Sequence, residues 1–394
     1  MLMGTKLPQT ICHLCLHGPY NEGWNYQENI LPKYHALMGM KVYQIVTCYI
    51  WDNGELKTIP PQRYVNPIGV EVIRIKRDEK QKLPGMRWER YSEAFHLLEE
   101  INPEFLFIHD VQFLDTDRIA KYLKNHPNCT AVADNHSDFS NSAKNWLSKN
   151  ILHKVIWKHY ANQLGRYVKK IYGVLPARVD FLTDVYHLPR EKCELLVMGA
   201  DDELVEKVKA NRSRELIRDK FGIHEDDFLV MTGGKINHNR PETLNLMRAV
   251  LDSENEHIKL IVFGVVADEL KNQFDELLRS DRIQFVGWLD SELTYEYMDA
   301  ADLIVFPGLH SVMWEQAVGM GVPCIFKKIP GFDHVDLGGN AAFVDDTSSD
   351  GLKKVIEAIV SNPERYGKMK TVARDQGMKV FSYRDIAKRC IQIY

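Results

Sequence analysis

The sequence predicts an α/β protein made of two doubly wound, Rossmann-like domains of similar size. Its 394 residues exceed what one hydrophobic core usually serves, and about 150 residues per domain argues for two or three. Short β-branched and aromatic runs alternate with longer amphipathic ones, the pattern of βα units on a parallel sheet. This alternation comes in two series, separated by a charged helical stretch from Asp202 to Lys220. The expected division is 1–204 for the first domain, 205–380 for the second, and 381–394 for a C-terminal helix that either finishes the second domain or crosses back to the first.

In the first series, Thr10 to Leu16 reads as a strand, and a helix carrying Asn29, Ile30, Tyr34 and Leu37 ends near Gly39. Strands follow at Lys41 to Thr47 and Val70 to Ile75, then a helix from Tyr91 to Glu100, then strands at Phe105 to Ile108 and Thr130 to Ala133. The second series has strands at Phe228 to Thr232, Leu260 to Phe263, Ile283 to Val286, Leu303 to Phe306, Val322 to Phe326 and Ala342 to Val344. Helices are expected at Glu242 to Leu251 and after Trp314. The last segment, Ser382 to Tyr394, is amphipathic, with Ile386, Ile391 and Tyr394 opposing Arg384, Lys388 and Arg389. No short-period repeat is visible, which argues against solenoids and propellers.

Composition narrows the function classes. Hydrophobic residues at 45% and charged residues at 26% are those of an ordinary globular protein. A net charge of -4 argues against bulk attraction to a nucleic-acid backbone. The Met1 to Thr10 segment has no apolar core of a signal peptide, and the longest apolar runs fall far short of about 20 residues; a cytoplasmic protein is expected. The seven cysteines are scattered, which suits reduced thiols. Cys12 and Cys15 form a C-x-x-C, but lie in a strand where positions three apart point to opposite faces.

Two loops carry chemistry. Thr232 to Pro241 (TGGKINHNRP) follows an apolar strand and precedes a helix. Its glycines let backbone N–H groups approach an anion, and Lys235 and Arg240 can clamp it. A solvated basic loop fits the same residues, and neither a Walker loop nor G-x-G-x-x-G is present. Pro307 to Pro323 (PGLHSVMWEQAVGMGVP) follows another strand and places Glu315 in the first turn of a helix. Glu315 can accept from vicinal hydroxyls of a ribose or sugar ring, or merely complement the helix dipole.

Together these loops resemble the retaining GT-B glycosyltransferases of glycosyltransferase family 4, also called glycosyl transferases group 1. Gly234, Lys235 and Arg240 fit the family's G-[RK]-x-x-x-x-[KR] diphosphate loop, and Pro307 to His310 followed by Glu315, Gln316, Ala317, Gly321 and Pro323 looks like its E-x7-E motif. Val197 to Asp201 (VMGAD), Gln284 to Leu289 (QFVGWL), Asp299 to Phe306 (DAADLIVF) and Gly338 to Val344 (GGNAAFV) are similar to further family segments in the same order. The resemblance implies two Rossmann-like domains facing across a cleft that holds a nucleotide-diphosphate sugar, a UDP-sugar ahead of a GDP-sugar, with no cofactor and no metal.

It also implies roles. Gly234, Lys235 and Arg240 would hold the diphosphate, Glu315 the nucleotide ribose, and His310, Ser311, Val312 and Met313 further parts of the donor. His136, after a first-domain strand, would hydrogen-bond the donor sugar as charge develops; without the family it reads as a capping or loop histidine. The transfer would be a front-face substitution that retains configuration, with Lys235 and Arg240 stabilising the leaving diphosphate. Two departures stand out: the motif's first Glu is Pro307, and the N-terminal glycine turn becomes Gly18 to Trp24 (GPYNEGW). Gly23, Trp24, Asn25 and His109 are the acceptor-side candidates.

From Lys144 to Lys170 the chain has seven Lys/Arg and no Asp or Glu, with Trp146, Leu147, Ile151, Val155, Ile156 and Trp157 interleaved. Such a helix can lie on an anionic membrane surface or attract a lipid-linked acceptor, or can be a packed helix with solvated lysines. Arg74 to Lys82 reads as a solvated loop. The function expected is sugar transfer to a glycan acceptor in surface polysaccharide or glycoconjugate synthesis, at the inner face of the membrane. An inactive GT-B subunit that binds a partner, or a GT-B epimerase or phosphorylase, are the alternatives.

Overall fold

The structure is a computed structural model, and residues 7–52, 54–78, 85–238 and 240–394 are described. The Met1 to Thr10 segment, the Arg74 to Lys82 loop and the Thr232 to Pro241 loop lie partly outside these residues. The chain divides into two compact units, one of Met1–Met198 with Tyr383–Tyr394, the other of Gly199–Ser382. The divide therefore falls before, not after, the helix Asp202–Ala210. A cut at 204 would split that helix, whose N-cap Asp201 accepts the Glu203 N–H at 3.1 Å.

The first unit is an eight-stranded sheet. Its strands are β1 (Thr10–Cys15), β2 (Lys41–Thr47), β5 (Gln62–Val65), β6 (Glu71–Ile75), β7 (Phe105–Ile108), β8 (Thr130–Asn135), β9 (Lys170–Gly173) and β10 (Cys193–Leu195), in the order β10-β9-β8-β7-β1-β2-β6-β5. All pairings are parallel except β5 on β6. A separate hairpin of β3 (Tyr49–Asp52) and β4 (Glu55–Thr58) follows β2 and precedes β5 along the chain. The central strands are apolar throughout because helices cover both faces: Ile11, Cys12 and Leu14 of β1 and Phe105 to Ile108 of β7 are completely buried. Cys12 and Cys15 are free buried thiols. Strand order reverses between β1 and β7, so their carboxyl ends flank the crevice where doubly wound sheets bind ligands.

The C-terminal helix Tyr383–Ile391 packs on the helix Gln27–Leu37 of this unit. It buries Tyr383, Ile386, Ala387, Cys390 and Ile391, and Tyr394 reaches Glu104 at 3.0 Å.

The second unit is a six-stranded parallel sheet of β11 (Phe228–Ile236), β12 (Ile258–Val266), β13 (Ile283–Phe285), β14 (Leu303–Phe306), β15 (Cys324–Lys327) and β16 (Ala341–Val344). Its order, β13-β12-β11-β14-β15-β16, is that of the Rossmann fold, with the switch point between β11 and β14. The stretch expected as one charged helical segment is two helices, Asp202–Ala210 and Ser213–Lys220. Arg212, with φ at +55°, turns the chain between them.

Gly233 to Ile236, expected as loop, continue β11 instead. The strand stays in register with β12 to Ile236↔Val266, because two glycines meet there. A Cβ on Gly264 would lie 1.9 Å from the Gly234 oxygen, and one on Gly233 2.0 Å from the Phe263 ring. Close approach also sets the helix Met313–Gly319 against Pro363–Phe381, where a Cβ on Gly377 would lie 2.2 Å from the Val318 oxygen. Below that helix, fully buried Trp314 stacks on Phe326 with centroids 4.4 Å apart.

Candidate functional site

In the second unit a recess opens at the switch point. It is lined by Thr232, Gly233, Gly234 and Lys235 at the end of β11, by Arg240, Glu242 and Thr243 beyond it, and by Phe306 to Leu309, Ser311 and Met313 after β14. The two loops singled out in the sequence thus converge, although about 70 residues separate them. The reason is topological, since β11 and β14 are neighbours in the sheet. Lys235 is exposed and Arg240 half-buried, so both cationic heads are available to an anion. The Arg240 N–H bonds the Asn237 carbonyl at 2.8 Å, which tightens the turn.

Glu315 lies in the first turn of the helix Met313–Gly319, as expected, but does not line the recess. Its carboxylate is fully buried beside two imidazoles, with His310 Nε2 2.9 Å and His334 Nε2 2.8 Å from Oε1. His310 Nε2 also lies 3.2 Å from Oε2. Burial pushes the Glu315 pKa up, but the two histidines outweigh it and hold the group at about 2. His310 is edge-on to Trp314 and Phe332, at 5.1 and 5.3 Å, which fixes its ring over the carboxylate. His310 is therefore a cover for Glu315 and does not line the recess, and Val312 is likewise absent from its lining. The three ligand atoms lie within 4.8 Å of one another, close enough to hold a metal ion. At 2.8 and 2.9 Å they are spaced as hydrogen bonds, whereas zinc at about 2.0–2.1 Å from tetrahedral ligands would set them roughly 3.3 Å apart.

Sequence reasoning missed Glu242. It opens the helix Glu242–Leu251, and Lys327 from β15 holds its Oε1 at 3.1 Å. Its Oε2 is buried without a hydrogen-bond partner among the described residues and lies near Gly308. A buried carboxylate oxygen left unpaired is costly, about 1–3 kcal/mol, and suits a ligand hydroxyl. No motif marks it; only the neighbouring strands β11, β14 and β15 bring Glu242, Gly308 and Lys327 together.

In the first unit, the carboxyl ends of β1, β7 and β8 bring His17, His109, Asp110, Asp134 and His136 together. Asp134 is fully buried and accepts the Asp110 N–H at 2.6 Å. Its Oδ2 lies 3.3 Å from both His109 Nδ1 and His136 Nε2, with the Gln27 amide also at 3.3 Å. Burial raises the Asp134 pKa, but His136 and His109 more than reverse this and hold it far below the ordinary carboxylate value. Burial likewise opposes charge on His136, and the Asp134 carboxylate overcomes it, so the His136 pKa is raised.

His136 is about one-quarter exposed at the side chain and stacks with His17 at 6.4 Å. Asp110, paired with Arg87 at 2.9 Å, sits at φ +70°. That is a rare conformation for a residue other than glycine and is typical of functional loops. His109, expected on the acceptor side, is completely buried, because just past the carboxyl end of β7 its ring packs against His13 and Phe107. Of the other acceptor-side candidates, Gly23 is exposed with φ +80°, while Trp24 and Asn25 are half-buried. Trp24 packs edge-on against Tyr26 at 5.4 Å.

The basic segment of the first unit contains a π-helix, Ser148–Trp157, continued by the helix Lys158–Gly165. Trp157 faces inward against Trp88 at 4.8 Å. Trp146 and Leu147, at 71% and 63% exposure, face outward with Phe139, Ile151 and Val155.

Comparison with known proteins agrees with this architecture. Residues 213–376 match the family model described as glycosyl transferases group 1. The lipopolysaccharide core biosynthesis glycosyltransferase LpsD of Rhizobium meliloti (strain 1021) is 28% identical over 142 residues, a match spanning 35% of this chain and 40% of that protein. Among solved structures, a sucrose-phosphate synthase from Thermosynechococcus elongatus is similar over 98% of both chains, at 16% identity and a TM-score of 0.68. Anabaena HepE, solved in complex with UDP and glucose, is similar over 98% of this chain and 99% of its own, at 13% identity and a TM-score of 0.65. The fold of this chain is GT-B, an α/β fold of two Rossmann-like domains.

Proposed function

We propose that this chain is a retaining glycosyltransferase of family 4. It moves a hexosyl group from a nucleotide-diphosphate sugar, a UDP-sugar ahead of a GDP-sugar, to a glycan acceptor in surface polysaccharide or glycoconjugate synthesis. The observation that carries this reading is the recess at the β11/β14 switch point, where Gly234, Lys235 and Arg240 meet the segment after β14. Two solvent-reaching cations beside glycine backbone suit a diphosphate. They also meet the chemistry of transfer, because negative charge grows on the leaving diphosphate as the glycosidic bond breaks.

The remaining roles follow from placement. Glu242 Oε2 accepts from a donor-sugar hydroxyl and replaces the carboxylate missing at Pro307. Glu315 receives the nucleotide ribose once the His310 ring turns aside. His136 of the first unit, with Asp134 behind it, acts on the donor sugar. The outward face of Trp146, Leu147, Ile151 and Val155, flanked by exposed Lys144, Lys149 and Lys154, sits against anionic lipid at the inner face of the membrane, where a lipid-linked acceptor is met. The matched relative's role in lipopolysaccharide core synthesis supports this acceptor class.

The test is thermal stabilisation by UDP, GDP and ADP in EDTA, on the natural chain and on Lys235→Ala with Arg240→Ala. Both side chains reach solvent, so their loss spares the core. One nucleotide at 100 times its dissociation constant should stabilise the natural chain by about 2.7 kcal/mol, and the double variant should lose the effect. No response to any nucleotide would refute the donor site and favour a non-catalytic subunit, the reading that Pro307 and the covered Glu315 favour.

A further inference from the structure

Glu242 meets groups from two other strand ends. It opens the helix Glu242–Leu251 soon after β11, and its Oε1 accepts from Lys327 Nζ at 3.1 Å. Lys327 ends β15, and β14 lies between β11 and β15 in the sheet. The Glu242 side chain therefore spans the carboxyl end of β14, where a Cβ on Gly308 would lie 3.7 Å from Oε2. The pair is largely covered, with the Glu242 side chain 13% exposed and that of Lys327 30%.

The two carboxylate oxygens are placed for different tasks. Oε1 is taken by the ammonium, while Oε2 is buried with no hydrogen-bond partner among the described residues. Glu242 and Gly308 both line the recess at the switch point, whereas Lys327 does not. The ammonium thus works from behind, and the unpaired oxygen lies beside a residue of the recess wall. An ionised carboxylate only accepts, so the group that fills this place carries an O–H or N–H. An ether, carbonyl or carboxylate oxygen there would set lone pairs against each other.

Lys327 also answers a problem of charge. Among the described residues, the charged groups lining the recess are Lys235, Arg240 and Glu242. A diphosphate engages the two cations, and a bare carboxylate beside it would repel it. The ammonium at 3.1 Å offsets that charge at the distance of the diphosphate.

We propose that Lys327 positions Glu242 to read one hydroxyl or N–H group of the donor sugar, and that this pair lets the recess tell a sugar nucleotide from the bare nucleotide. Lys327 is a positioning residue, since it touches Glu242 and acts through it. The proposal rests on the donor site proposed above. A site built around one hydroxyl rejects the analogue that lacks it, because its own buried oxygen is then left unpaired. A hydrogen bond to a charged acceptor corresponds to about tenfold or more in affinity.

The test is titration calorimetry of the full chain, without acceptor, using UDP, UDP-glucose and UDP-galactose, or GDP and GDP-mannose should GDP be the nucleotide bound. The natural chain is compared with Glu242→Gln, Lys327→Met, Lys327→Arg and the double variant of Glu242→Gln with Lys327→Met. The tightest sugar nucleotide is then titrated with each of its sugar hydroxyls removed in turn. Glu242→Gln should weaken the sugar nucleotide about tenfold and leave the bare nucleotide as tight as before or tighter. Lys327→Met should weaken both, because the carboxylate is then misdirected and uncompensated. The double variant should recover the nucleotide and not the sugar nucleotide, and Lys327→Arg should keep both. One deoxy analogue should bind the natural chain about tenfold more weakly, and that difference should vanish in Glu242→Gln.

Equal losses of nucleotide and sugar nucleotide in Glu242→Gln would overturn the proposal, because Oε2 would then serve the nucleotide or the fold. Deoxy analogues that all bind the natural chain alike would overturn it too. A double variant as weak for the nucleotide as Lys327→Met would show that Lys327 does not act through Glu242, and its positioning role would fall. Should Lys327→Met not fold, Glu242→Gln and the deoxy series decide. If neither UDP nor GDP binds the natural chain, the donor site itself falls and this proposal with it; nucleotide binding that ignores every sugar hydroxyl overturns this proposal alone.

Discussion

Replacing Glu315 with glutamine keeps the shape of a buried side chain and removes its charge, so it isolates what His310 and His334 do for the fold. A carboxylate whose pKa falls from 4.5 to about 2 on folding adds roughly 3 kcal/mol of stability at neutral pH, at about 1.36 kcal/mol per pH unit. A second route agrees, because two hydrogen bonds to a charged acceptor are worth about 1.5–3 kcal/mol each. The sign follows from the depressed pKa. The contribution is complete above the unfolded value of 4.5 and drains away as pH falls toward 2.

Glu315→Gln should therefore lower the melting temperature of the second unit by about 6–12 °C at pH 7.5, at roughly 2–4 °C per kcal/mol for a domain of this size. The gap to the natural chain should narrow below pH 4.5. Calorimetry and urea unfolding across pH 3.5 to 8 read both effects. A loss under about 1 kcal/mol at neutral pH, or a gap that widens on acidification, would refute the argument that the two histidines hold an ionised Glu315.

Three further perturbations probe the frame around the sites. Gly264→Ala drives a Cβ to 1.9 Å from the Gly234 oxygen at φ +128° and should cost about 2–3 kcal/mol; urea unfolding checks it, and nucleotide response should fall with it because the β11 end is displaced. Asp302→Ala removes the partner of Arg218 at 3.0 Å, of Arg214 at 2.5 Å and of the Leu229 N–H at 2.8 Å. A largely buried Arg218 then lacks its countercharge, with only the Ala300, His224 and Asp227 carbonyls left to accept from it, and about 3 kcal/mol should be lost; an unfolding midpoint equal to that of the natural chain would contradict this. A chain ended at Ser382 loses Tyr383, Ile386 and Ile391 from the first unit, at about 1.5–3 kcal/mol each, and should unfold that unit first in limited proteolysis while the second unit survives.

Much of the fold was legible because parallel strands buried on both faces read as continuous apolar runs. Lys41 to Thr47 and Phe105 to Ile108 match β2 and β7 residue for residue, and both motif loops were found at strand ends, where such sheets bind ligands. The hairpin β3–β4 and the edge strand β5 were missed, being largely exposed and without a buried run to betray them. The helix Thr116–Asn125 was also missed, although Ile119, Ala120 and Leu123 carry its apolar spacing.

The sequence by itself determined most of the central buried strands, that two large sheets are built, and which loops bear glycine beside lysine and arginine. Periodicity is local, and these features depend only on near neighbours along the chain. The tertiary structure alone decided which strands adjoin, and with that everything assembled across them. Glycines 234 and 264 meet, Glu242 faces Gly308, His334 closes on Glu315, and His13, His35 and His109 align behind Asp134. Burial then gave these groups their character, because a carboxylate or imidazole takes its charge state from the partners that folding brings within hydrogen-bond reach and from the water it excludes.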